Sequence, residues 1–186
     1  IRYATARGAD VINMSFNFGC NKRVPGVDEA LRQAHRKGIV TVASIGNLGA
    51  EACVSPPATG PHVIGVGGTT EGGCLGDYSL SGAKVDLLAP GGGLPVAGCA
   101  SVSMRPIYQV TLRGQNPRRF DVPGSYVGTS MAAAHVSGVA ALVIASGVSG
   151  KKPSPRRVLR RLRTTARNLG LPATKQGGGL IDAARA

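Results

Sequence analysis

A chain of 186 residues with 42% hydrophobic residues is long enough for one domain with a buried core. Aromatics are scarce at 4%, Trp is absent and Gly numbers 28, which excludes an aromatic-rich binding platform and favours close packing of small residues with tight turns. The net charge of +13 raises polyanions as partners, but the arginines are dispersed from Arg2 to Arg185, so nucleic-acid binding is not expected as the main role.

Residues 1–8 read as the last two turns of an amphipathic helix stopped by Gly8. A helix with no start signal is expected to continue from chain preceding Ile1, which would make these residues the C-terminal portion of a longer protein. Residues 11–16 form an apolar run of buried-strand type. The 27–37 stretch is a surface helix, acidic at its start, basic at its end and stopped by Gly38. His35, among charged neighbours, reads as solvated. A second strand, 39–44, leads into Ile45-Gly46-Asn47. Strands follow at 62–67 and 85–90, with His62 as a loop residue at the start of the first.

Four cysteines, Cys20, Cys53, Cys74 and Cys99, lack Cys-x-x-Cys spacing, which argues against zinc or thioredoxin-like chemistry. Two disulfides in an exported protein fit instead, with three pairings open. Cys20–Cys53 and Cys74–Cys99 are the expected pairs, each joining neighbouring loops at one end of a sheet.

Residues 91–123 are rich in Gly, Pro and Arg and read as a surface insertion, with 107–112 as one arm of a hairpin. The uncharged run after Asp121 is broken by Pro123, Gly124, Ser125, Thr129, Ser130 and His135, so it predicts a core helix and not a membrane span. A helix starting near Thr129 or Ser130 places Ser130 on its first turn. There free N–H groups and the helix dipole favour a developing negative charge. Ser154-Pro155 starts a last basic helix over 156–169, with an apolar stripe at Val158, Leu162, Ala166 and Leu169. Strands alternating with helices predict a parallel sheet between helix layers, with ligands at the strands' carboxyl ends. Ser15, Asn47 and Ser130 each lie at such an end or at the helix start that follows.

The segment Gly-Thr-Ser-Met-Ala-Ala-Ala-His-Val-Ser-Gly at 128–138 resembles the nucleophile motif of the subtilisin-like serine proteases. Ala134 departs from it, standing where the family usually has Pro. The resemblance extends to Gly46-Asn47, to Ser-Pro-Pro-Ala-Thr at 55–59 and to Gly-Gly-Gly-Leu at 177–180, so it spans nearly the whole chain. It implies a three-layer α/β/α fold with a mainly parallel sheet, of which 1–186 are the C-terminal portion. It implies Ser130 as nucleophile and Asn47 as an oxyanion donor. Ser15, Phe16, Asn17, Ser44, Ile45, Gly46 and Thr129 are the implied substrate-binding residues, with Asn17 and Phe18 in place of glycines narrowing the edge. His135, expected to be buried by its neighbours on the same helix, resembles the family's structural His. The resemblance also implies a peptide or protein substrate, export, no required cofactor and room for structural calcium.

A serine hydrolase needs a base for the Ser proton and an acid to orient that base. None of the three His residues suits, and neither Asp-Ser/Thr-Gly nor His-Gly-Thr-His occurs. Both parts are expected before Ile1, in the N-terminal part of the same domain. The alternatives are an inactive relative, or a basic module binding polyanions through 156–167.

Overall fold

The structure, a computed structural model, describes residues 1–19, 22, 24–48, 53–99, 104–114 and 116–186. Its centre is a parallel sheet of β1 (Val11–Met14), β2 (Val40–Ser44), β3 (Val63–Thr69) and β4 (Leu87–Pro90), in that spatial order. Register pairs Val11 with Val40, Ser44 with Val66 and Thr69 with Pro90. The strands are apolar on both faces because helices cover both, as parallel sheets require. Ile12, Met14, Ala43 and Ile45 pack on one side with Leu31 and Ala34 of α2 (Pro25–Arg36). Val40, Val42, Ile64, Val66 and Leu87 pack on the other, against α3 (Thr129–Ser146) and α4 (Pro155–Thr165). This is the expected three-layer α/β/α arrangement.

The chain opens with α1 (Arg2–Ala6), and the turn after it places Gly8 at φ +74°. α3 is long and apolar enough to cross a membrane by length and composition alone. It instead lies across all four strands, with Ala132, Val136, Ala140 and Val143 buried, as a core helix. In α4 the Ser154 side chain caps by accepting from the Arg157 N–H, and Val158 and Leu162 are buried. The helix stops at Thr165, four residues short of the expected end. The backbone turns extended at Ala166, and Arg167 exchanges two backbone hydrogen bonds with Leu180 at 2.8 and 2.9 Å. That strand-like pairing is long-range, and a helical stripe cannot reveal it. The same closing segment covers the outer edge of β4, where the Leu88 N–H donates to Gly179 and the Ile181 N–H to Leu88.

The expected hairpin is short. Its arms are β5 (Thr111–Leu112) and β6 (Phe120–Asp121), extended by a bridge between Ile107 and Tyr126. A last short helix, α5 (Ala173–Gln176), precedes the closing segment. The Cys74–Cys99 disulfide is present, with Cα atoms 6.1 Å apart. The Cys20–Cys53 pairing falls outside the described residues, because Cys20 does.

Candidate active site

The carboxyl ends of β1 and β2 meet the start of α3, and there the chain gathers its serines and Asn47. The backbone reaches that helix through Gly128, at φ +138°. A Cβ on Gly128 would stand 2.8 Å from Asn47 Nδ2, so no other residue fits without displacing the amide. Gly46 is held as tightly from the other side: its φ is +114°, and a Cβ there would stand 2.8 Å from the buried Leu80 side chain.

Thr129 fixes the Asn47 amide. Its backbone N–H donates to Asn47 Oδ1 at 2.8 Å, and its hydroxyl donates to the same oxygen at 2.7 Å. The Gly46 N–H donates in turn to Thr129 Oγ1 at 3.3 Å. With the oxygen of the amide so engaged, Nδ2 is its donor side. Asn47 itself is exposed.

Ser130 is half-buried on the first turn of α3. Its Oγ donates to the Ser15 carbonyl at a long 3.4 Å, and Ser15 Oγ donates to the Ser130 carbonyl at 2.8 Å. Two further residues complete a chain of contacts that sequence reasoning missed. Asn13 Nδ2 donates to Ser15 Oγ at 3.0 Å, and Ser137 Oγ donates to Asn13 Oδ1 at 3.0 Å. A polar Asn inside an otherwise apolar strand, and a Ser two helical turns beyond Ser130, were the available signals.

The substrate-binding set divides. Ser15, Phe16 and Asn17 are exposed beside Ser130, and Phe16 meets Phe18 edge-to-face with centroids 5.7 Å apart. Ser44, Ile45, Gly46 and Thr129 are all buried. They support the Asn47 loop from beneath and present almost no surface of their own.

His135 corrects an expectation. It is exposed, its Nδ1 lying 2.9 Å from the Met131 carbonyl one turn back, because the α3 face holding Ala134, Gly138 and Leu142 is uncovered. His35 corrects another. It is half-buried and stacked on His62, not solvated. Among the described residues, no group of three or more His, Cys, Asp or Glu side chains is placed to hold a metal ion.

The profile of the Subtilase family (Peptidase S8) matches residues 1–180. The chain belongs to the subtilase family. Alkaline elastase YaB of Bacillus sp. (strain YaB) is 34% identical over 185 residues, covering 98% of this subtilase chain and 41% of the elastase. Subtilisin DY of Bacillus licheniformis is 34% identical over 187 residues, covering 98% and 58%. A solved protease of Pseudoalteromonas arctica PAMC 21717 superposes with a TM-score of 0.78 at 31% identity, covering 95% of this chain and 50% of that one. A solved lanthipeptide protease superposes with a TM-score of 0.81 at 26% identity, covering 98% and 62%. The subtilase chain thus spans about half the length of the relatives it matches.

Proposed function

We propose that these residues are the nucleophile-bearing portion of a serine endopeptidase acting through an acyl-enzyme. The observation that carries this reading is the pairing of Ser130, on a helix first turn, with an Asn47 amide whose oxygen is tied to Thr129. Ser130 Oγ attacks the scissile carbonyl of a peptide. Charge developing on the carbonyl oxygen is met by Asn47 Nδ2 and the Ser130 N–H, donors held in place before the reaction begins. The amine leaves with the proton, and water then releases the acyl group from Ser130. The reaction uses no cofactor, and the structural calcium of the family expectation enters no step.

The base and its orienting acid are proposed to come from the N-terminal part of the same domain, outside these 186 residues. None of the three His residues serves. His35 and His62 stack on each other at the amino ends of the strands, and His135 Nδ1 is engaged by its own helix. The uncovered apolar face of α3, around Ala134, Gly138 and Leu142, supports a docked partner there. Residues 91–123 are read as a surface insertion of that domain.

Substrate is proposed to lie in extended form along 15–17, where main-chain pairing supplies affinity. Phe16 and Phe18 suit apolar residues near the scissile bond. Two relatives are named as extracellular proteases, which supports export of this protein too. The test is steady-state and rapid-mixing hydrolysis of a peptide ester by the full-length protein. A burst of one product per Ser130 is expected; complete absence of hydrolysis would leave the inactive-relative reading.

A further inference from the structure

The far end of the sheet carries a second constellation that this chemistry does not use. The C-terminal turn of α2, the start of β3 and the first turn of α4 form a half-open pocket of about 310 Å³. His35, His62 and Arg156 line it, together with apolar surface from Val63, Ile64 and Leu159. The two imidazoles lie face to face, centroids 3.8 Å apart and planes 7° from parallel. His35 Nδ1 is buried without a hydrogen-bond partner. His62 is the one non-glycine residue with positive φ among the described residues, at +62°. Its carbonyl is held by the Thr41 hydroxyl at 3.2 Å. Such backbone persists where surrounding structure over-determines it, and it concentrates at binding sites.

The lining has no carboxylate. On α2 the acid Glu29 is taken by Arg32 and Arg36 at 3.6 and 3.1 Å. Arg156 on α4 has no acidic partner among the described residues. Three groups able to carry positive charge therefore converge with no carboxylate among them, His62 and Arg156 at the exposed rim and His35 half-buried. Burial first, then the like charges of His62 and Arg156, hold the His35 imidazole below its ordinary pKa.

We propose that this pocket binds a carboxylate attached to a small apolar body. The carboxylate meets the Arg156 guanidinium and the imidazole N–H groups, its charge favouring protonation of His35, and the body lies over Ile64 and Leu159. An inorganic anion leaves that apolar wall unused, which is why an organic acid fits better. Free acids and peptide C-termini share this chemistry, and the test separates them. The pocket involves neither Ser130 nor Asn47, so its ligand stands or falls apart from the peptidase reading.

The experiment follows the imidazole C–H resonances of His35 and His62 in the full-length protein by NMR while benzoate is added at pH 5.5 and pH 8. Benzoate is expected to shift both residues' resonances, raise the apparent pKa of His35 and bind about tenfold more tightly at the lower pH. Arg156→Gln is expected to weaken binding at least about tenfold, and Arg156→Lys to restore most of it. A short apolar peptide with a free C-terminus, binding more tightly than benzoate and losing that on amidation, identifies a chain end as the ligand. The reverse order identifies a free acid. Unmoved His35 and His62 resonances, or shifts indifferent to pH, overturn the proposal even if the Arg156 variants fail to fold.

Discussion

The two ends of one parallel sheet have been given opposite kinds of polar chemistry. At the carboxyl end Asn13, Ser15, Asn47, Thr129, Ser130 and Ser137 are neutral and mated to one another at 2.7–3.4 Å. At the amino end His35, His62 and Arg156 are cationic or able to become so, and no acid answers them within their pocket. A neutral, mated cluster fixes geometry and is insensitive to pH; an unmated cationic cluster stores repulsion that an anion can relieve. Position at a strand end therefore does not by itself mark a site: one end is organised to orient, the other to attract.

Substitutions can break that contrast, and their effects should fall in a definite order. Ser130→Ala should lower turnover of the full-length protein by roughly 10⁶, as loss of the nucleophile does in a subtilisin, with no change in melting temperature. Asn47→Ala should cost about 10²–10³ in kcat while KM stays nearly constant, since an oxyanion donor acts on the transition state. Gly128→Ala pushes a methyl into the Asn47 amide and strains a left-handed backbone. It should reduce kcat in the same sense and cost about 1–3 kcal/mol in chemical denaturation. Asn13→Ala or Ser137→Ala should be milder, about 0.5–1.5 kcal/mol of stability and a kcat loss below about tenfold.

The amino end supplies the smallest effect and the one that depends on pH. Burial and like charge hold the His35 pKa down, so its contribution is fully present above the ordinary imidazole range and lost as pH falls through it. Thermal melts should therefore show stability declining from pH 7.5 to 5.5, and His35→Gln should flatten that decline. A profile unchanged by the substitution would remove His35 from the explanation.

Much of the carboxyl end was legible because its signals are local. A serine following Gly-Thr at the head of an alanine-rich helix, and a Gly-Asn turn after a β-branched strand, have their places in the fold marked by adjacent residues. What depended on distant partners was not. α4 ends early because Arg167 pairs with Leu180, a contact across the chain. Ser44, Ile45 and Gly46 look like pocket wall in the sequence, yet the packing of α3 and Leu80 puts them inside. His35 looks solvated among its charged neighbours on α2, and only the fold brings His62 against it. His135 sits in an apolar motif that suggests burial, but burial needs a covering layer, and the described residues leave that face open.

The most direct test of the central claim is covalent labelling of the full-length protein with a fluorophosphonate, followed by peptide mapping. The account predicts stoichiometric modification of Ser130, abolished by Ser130→Ala and slowed by Asn47→Ala. Label on another residue, or none on a protein that still cleaves peptides, would contradict it.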